Sequence, residues 1–202
     1  MRGTVIVFVK APVAGRVKTR LAKDIGAGRA AAIFRLLMNH TLREAEKSGF
    51  RVILAVDPAG AAHASARFWP AHLPRVAQGK GDLGARMARA FDHAPPGPAV
   101  IIGADAPGLR VRHLRAAFAA LQGADAVFGP ATDGGYWLVG LKRRKPAPEL
   151  FHGVRWSTAH ALSDTLKTLP PHFDVRFLDT LADVDEAKGL EYLSFCRGLV
   201  RS

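Results

Sequence analysis

A single-domain α/β sandwich of three layers, with helices on both faces of a mostly parallel, mixed sheet, is the fold class this sequence predicts. Three observations point there. Residues 4–9 and 99–102 are apolar runs without alternation, the pattern of strands covered on both faces in the middle of a parallel sheet. Segments of helical period, above all residues 27–47 and 111–121, alternate with such runs. The run at 99–102 ends in Gly103, Ala104, Asp105, Pro107 and Gly108, so a carboxylate stands at the carboxyl end of a central strand, where open α/β sheets bind ligands.

In chain order, residues 4–9 form the first strand, followed by a loop running to Leu21 that holds Lys10, Pro12, Gly15, Arg16, Lys18 and Arg20. A strand, a cationic loop with one glycine and a helix place backbone N–H groups and basic heads where a phosphate chain can sit. Neither GxxxxGK[ST] nor GxGxxG is present, which excludes the P-loop and dinucleotide-binding fingerprints. Residues 27–47 carry Ile33, Phe34, Leu37, Met38, Leu42 and Ala45 on one helical face. Residues 51–56 are a second strand ending at Asp57-Pro58, where a turn role suits Asp57; a weaker helix follows over 61–68, then a short strand at 76–78. Gln78, Gly79, Lys80, Gly81 and Asp82 make a flexible glycine loop, with Asp82 as the N-cap of a helix through Arg86, Met87 and Phe91.

After the central strand, residues 111–121 repeat the helical pattern and 126–128 are the next strand. Asp133-Gly134-Gly135 marks a tight turn into a returning strand over 136–141, which makes the sheet mixed. Ser157 or Thr158 is expected to cap a helix carrying Leu162, Leu166 and Leu169, and 175–178 are a last strand. Asp183, Val184, Asp185 and Glu186 open a final helix, where acids in the first turn suit the helix dipole.

Composition narrows the function classes. Of 202 residues, 49% are hydrophobic and 23% charged, an ordinary globular balance that fits one domain over residues 1–202. The formal net charge of +12 favours anionic ligands. It is unevenly spread: residues 1–50 hold ten Lys or Arg against three acids, whereas 179–191 hold five acids against Lys188. The lone Cys196 excludes an intramolecular disulfide and a multi-cysteine metal site, which suits a reducing cytoplasm. No stretch reads as a secretory signal or approaches the ~20 apolar residues of a membrane span.

Five blocks carry a family resemblance: Lys10-x-Pro12-x-x-Gly15-x-x-Lys18-Thr19-Arg20-Leu21, Gln78-Gly-x-Gly-Asp-Leu-Gly84-x-Arg86-Met87, Gly103-x-Asp105-x-Pro107-x-Leu109, Gly129-Pro-Ala-x-Asp133-Gly134-Gly135-Tyr136-Trp-Leu and Asp183-Val-Asp185. Together they resemble the DUF2064 group of the nucleotide-diphospho-sugar transferase (GT-A) superfamily, whose related folds include molybdenum-cofactor guanylyltransferases and cytidylyltransferases. The resemblance implies a transferase using a nucleotide-activated donor, with a magnesium (or manganese) ion held by Asp105 and completed by Asp185 or Asp183. It implies phosphate contacts from Lys10, Arg16, Lys18 and Arg20, close backbone approach at Gly15 with Pro12 in the same nucleotide-binding loop, and base or ribose contacts from Gln78 and Arg86. Asp133, Gly134, Gly135, Tyr136 and Trp156 would face a small-molecule acceptor, with Asp105, Asp133 and Lys18 carrying the chemistry.

Two departures from the family pattern leave the reaction type open. One is the basic loop, which has a single glycine and ends in Lys18-Thr19-Arg20 where the relatives have a Gly-rich loop with a following Arg. One carboxylate in Gly103-Ala104-Asp105, rather than Asp-x-Asp, is similar to nucleotidyltransferases, while the Asp133 block specific to the family favours glycosyl transfer. A nucleic-acid-binding protein and a non-catalytic nucleotide-sensing module are the rivals of other classes. The chain lacks a nucleic-acid recognition motif, which disfavours the first.

Overall fold

A computed structural model describes residues 3–63, 68–144 and 150–182. In chain order the described residues form β1 (Thr4–Lys10), α1 (Thr19–Ile25), α2 (Ala27–Lys47), β2 (Arg51–Asp57), α3 (Ala59–His63), β3 (Arg75–Ala77) and α4 (Leu83–His93). They continue with β4 (Ala99–Gly103), α5 (Val111–Gly123), β5 (Ala126–Pro130), β6 (Tyr136–Leu141), α6 (Ala161–Lys167) and β7 (Val175–Phe177). The strands make one sheet in the order β3-β2-β1-β4-β6-β5-β7. All neighbours are parallel except at β6, which runs antiparallel to both β4 and β5. The expected three-layer α/β fold with a mixed sheet is therefore the observed one.

Alternation along the strands sorts the core into two layers. Val5, Val7 and Val9 of β1, Leu54 of β2 and Ile102 of β4 pack beneath α2 and α5, whereas Ile6, Ala55 and Ile101 face Met87 and Phe91 of α4. On α2, Ile33, Phe34, Leu37, Met38 and Leu42 are buried at helical spacing, and a side chain of that size contributes roughly 1.5–3 kcal/mol when removed from water. Phe34, Met38 and Leu42 seat α2 against the sheet, while Ile33 and Leu37 pack on Leu21 of α1 and hold the segment before α2 in place.

Two local details differ from the sequence reading. The basic loop ends sooner, because Thr19–Ile25 is a helix whose Leu21 is fully buried against Ala30, Ile33 and Leu37. One buried residue in seven is too weak a pattern to separate from a loop. The N-cap of α6 is His160, without a side-chain cap, while the Thr158 hydroxyl accepts the His160 N–H at 3.2 Å. The hydroxyl thus closes a turn just upstream of the helix. At α4 the expected cap is present: the Asp82 carboxylate accepts the Ala85 N–H at 2.8 Å.

Candidate functional site

The order β3-β2-β1-β4 reverses direction at β1, because β2 lies on one side of it and β4 on the other. A crevice outside the carboxyl ends of β1 and β4 is where doubly wound sheets bind ligands. Lys10 ends β1 and Asp105 follows β4 by two residues, so the topology alone brings the basic loop and the central carboxylate to that crevice.

The side chains meet there. Lys18 Nζ lies 2.8 Å from Asp105 Oδ2, joining residues 87 apart in sequence; the lysine side chain is 3% exposed and the aspartate 43%. The lysine is thus a buried cation behind a carboxylate that faces solvent. Its backbone is left-handed (φ 47°, ψ 47°), a conformation costing a non-glycine residue on the order of 1–3 kcal/mol and concentrated at functional sites. In front of it, residues 13–16 form an exposed tip closed by the Arg16 N–H donating to Val13 O, with Gly15 at φ 78°. Ala11 and Pro12 are buried below the tip, whereas Lys10, Arg16 and Arg20 are exposed around it.

Arg110 fixes the turn after Asp105. Its Nη1 donates to Pro107 O at 2.9 Å and to Leu109 O at 2.7 Å, and lies 3.0 Å from His40 Nε2. No periodicity in the sequence signals that clamp.

Gln78 and Arg86 lie on the β2 side of the crevice. The Gln78 side chain is buried, and its amide nitrogen donates to Ala55 O at 2.9 Å and Val9 O at 3.3 Å, bracing β1 against β2. Arg86 donates from Nε to Gly81 O at 3.0 Å and sets Nη1 3.4 Å from both Gln78 Oε1 and Asp57 Oδ2. Asp57, read as a turn residue, is therefore also an anchor for Arg86. Arg89 was missed by the sequence reading; one helical turn beyond Arg86, it donates to Gln78 O at 2.7 Å and Lys80 O at 3.0 Å. The i, i+3 spacing of the two arginines after the Asp82 cap is the signal that could have found it.

The β5–β6 turn lies at the same end of the sheet, since β5 runs in the direction of β4 and β6 returns antiparallel to both, with Ile102 opposite Leu138 and a register shift at Gly129/Pro130 beside the turn. There Asp133 is exposed and its Oδ1 accepts the Gly135 N–H at 2.8 Å. Gly134 packs against the backbone of Ala159. Tyr136 turns inward: its hydroxyl lies 3.3 Å from Thr165 Oγ1, and burial pushes the phenol above its ordinary pKa. Trp156 stacks edge-on to Tyr136 with centroids 6.5 Å apart, and its buried Nε1 has no hydrogen-bond partner among the described residues. Sequence reasoning gave no role to Arg155 and Asp164, which join by two hydrogen bonds of 2.6 and 3.0 Å and tie this segment to α6.

Asp183 and Asp185 lie outside the described residues. The described chain reaches Ala182, with Leu181 bridged to Ala131 beside the β5–β6 turn. Among the described residues no group of three acidic, histidine or cysteine side chains is placed to hold a metal. Asp105 offers a hard oxygen ligand on a solvent-facing carboxylate, which fits magnesium, an ion that keeps several waters and takes one or two carboxylates plus substrate phosphates.

Residues 41–158 match the model of a family described as an uncharacterized protein conserved in bacteria, DUF2064. The chain belongs to that family. The match takes in Gln78, Arg86, Asp105, Asp133 and Trp156 and leaves out the basic loop. Among solved structures, the DUF2064 chain is similar to a candidate nucleotide-diphospho-sugar transferase from Desulfovibrio desulfuricans G20, at 28% identity and TM-score 0.80, covering 98% of this chain and 94% of that one. It shares its fold with Rv0371c from Mycobacterium tuberculosis H37Rv in complex with manganese (18% identity, TM-score 0.58, 100% of both chains). The inositol-1-phosphate CTP transferase from T. maritima shares it too (13% identity, TM-score 0.60, 98% of this chain and 94% of that one). No curated protein matches the sequence. No helix among the described residues is long and apolar enough to cross a membrane.

Proposed function

We propose that residues 1–202 form one transferase domain that uses a nucleotide-activated donor with Mg²⁺ or Mn²⁺, and that the group transferred is a glycosyl unit passed from a nucleotide-sugar to a small-molecule acceptor. The observation that carries the proposal is Asp105, solvent-facing at the switch-point crevice with the buried Lys18 ammonium 2.8 Å behind it. Transfer from such a donor builds negative charge on the departing phosphate oxygens, so the site needs cations more than it needs a protein nucleophile. Lys10, Arg16 and Arg20 ring the loop tip and would bind the diphosphate, with Lys18 beside the carboxylate, Gly15 giving close backbone approach and the buried Pro12 supporting the loop beneath it. Asp105, with Asp185 or Asp183, would hold the metal, which supplies Lewis-acid stabilisation of the phosphates.

Gln78 and Arg86 shape the wall offered to the base and ribose. On the other side, Asp133 would take the proton of the acceptor hydroxyl as its oxygen attacks the anomeric carbon and the nucleoside diphosphate leaves. Gly134 and Gly135 form the turn that presents Asp133, with Tyr136 and Trp156 behind it. The lone carboxylate of Gly103-Ala104-Asp105 favours a second reading, nucleotidyl transfer with release of pyrophosphate. The chain would act in the cytoplasm, and nucleic acid is not its ligand.

Calorimetric titration of a nucleoside diphosphate with and without Mg²⁺ tests the site. Asp105→Asn keeps the shape but not the charge that a hard cation requires, and should remove the Mg²⁺-dependent part of binding. Equal Mg²⁺ dependence in both proteins would overturn the metal assignment. Identifying the product released from nucleotide-sugars and from nucleoside triphosphates separates the two reactions: nucleoside diphosphate supports glycosyl transfer, pyrophosphate supports nucleotidyl transfer. Release of neither product across a broad donor panel supports the sensing module.

A further inference from the structure

On the face of the sheet that carries α4, behind the glycine loop, lies a cavity of about 190 Å³. Ile6, Ile53, Ala55 and Val76 from three adjacent strands wall one side, and Ala90 and Ala94 from the end of α4 wall the other. Four of its ten lining residues are alanines, Ala55, Ala77, Ala90 and Ala94, whose short side chains leave the space unfilled. Val76 is 44% exposed, so the apolar wall continues to the surface at the edge strand.

The polar groups on its rim decide what could enter. The Gln78 amide nitrogen is already committed to Val9 O and Ala55 O, and cannot serve a ligand without loosening β1 from β2. Arg89 is different: it donates one bond from each Nη, to Gln78 O and Lys80 O, while a guanidinium carries five N–H groups. A cation with donors to spare thus stands with Gln78 and the exposed His93 on the rim of a chamber whose remaining lining is apolar. An apolar cavity of about 150 Å³ takes up benzene, so a chamber of this size holds one ring with a short substituent. A rigid ring also loses little conformational entropy on entry.

We propose that this cavity is a second binding site, for a one-ring aromatic carboxylate whose ring fills the chamber and whose carboxylate meets the remaining N–H groups of Arg89. Because the same guanidinium holds the backbone at Gln78 and Lys80, occupancy there bears directly on the glycine loop. The site stands independently of the reaction proposed above, and its test uses no nucleotide. Benzoate is titrated into the full chain by protein-observed NMR, beside benzyl alcohol as a neutral one-ring compound of similar size. Saturable benzoate binding is expected, with benzyl alcohol about tenfold weaker for want of the charge-assisted hydrogen bond. Ala90→Leu fills the chamber and should abolish benzoate binding while cooperative thermal unfolding is retained. If that variant fails to fold, Ala94→Val, from the other end of the same wall, should give the same loss. No saturation with benzoate, unchanged binding in the folded variants, or equal affinity for benzyl alcohol would each overturn the proposal.

Discussion

The two halves of the carboxyl end of the sheet are built in opposite ways. Around β1 and β4 it is open: a Cβ added at Gly15 or Gly103 would meet nothing within 4 Å, and the acid of the Lys18–Asp105 pair is the exposed partner. Around β6 and α6 it is closed. A Cβ at Gly134 would run into the Ala159 backbone, and one at Gly84, on the face of α4 that leans this way, would lie 2.8 Å from Phe151 O and 2.9 Å from Trp156 Cζ2. The ion pair is inverted as well, since Asp164 is 10% exposed and Arg155 57%. A buried cation behind an open carboxylate leaves anionic oxygen available to a ligand. A buried carboxylate held by Arg155 and Lys167 has its oxygens taken by the protein, so it fastens the chain. The same residue types therefore leave a carboxylate open on one side and fasten the chain on the other.

The stability of glycine variants should break that comparison first if it is wrong. Gly134 has φ 86° and a backbone carbonyl against its missing side chain, so Gly134→Ala carries both the left-handed penalty of about 1–2 kcal/mol and an overpacking cost of about 1–3. Chemical denaturation should show a loss of roughly 2–5 kcal/mol. Gly15→Ala, at φ 78° with open space around it, should lose only about 1–2 kcal/mol. Equal losses would mean that the closed half can yield to an added methyl, and the contrast would fall.

How far the sequence discloses this arrangement follows from the range of each interaction. Strands β1 and β4 are legible because a covered parallel strand is apolar throughout, and α2 because ten of its positions bury at helical spacing. The mixed character of the sheet is legible from Asp133-Gly134-Gly135, since a tight turn demands an antiparallel partner. Residues of the open half could be singled out because glycines, cations and a strand-end carboxylate are the types that suit ligand approach, and the fold brings them to one crevice. The closed half could not be read in the same way. Nothing in residues 150–165 shows that Arg155 will find Asp164, or that the Tyr136 hydroxyl will turn toward Thr165, because those contacts depend on how α6 docks. The Lys18–Asp105 contact spans 87 residues and is fixed only by strand order.

A smaller effect is expected at the closed half's ion pair, where solvent around the exposed Arg155 screens the interaction. The Arg155 hydrogen bonds hold the Asp164 carboxyl well below the ordinary carboxylate range. A carboxyl whose pKa is lowered on folding stabilises the protein above its unfolded value, and that contribution is lost as pH falls toward the lowered one. Arg155→Met should therefore melt below the wild type at neutral pH, with a gap that narrows progressively under about pH 4. A gap that stays constant from pH 7 to 3 would assign the loss to packing of the arginine stem instead.

The smallest effect on stability belongs to the open half. Arg16 and Arg20 are exposed, and replacing either with alanine should change stability by no more than about 0.5 kcal/mol. If this half exists to meet phosphate, the same substitutions should act on binding: each lost charge-assisted contact weakens a nucleoside diphosphate by on the order of 1.5–3 kcal/mol, about tenfold or more in affinity. The parent nucleoside, which presents no phosphate, should be affected little. Calorimetry with the nucleoside and its diphosphate, on wild type and both variants, separates the cases within one set of proteins. Matched losses for the two ligands would show that the loop only supports structure. A stability loss comparable to that of Gly134→Ala would show that the open half is as tightly built as the closed one, which would remove the reason for assigning the phosphates to it.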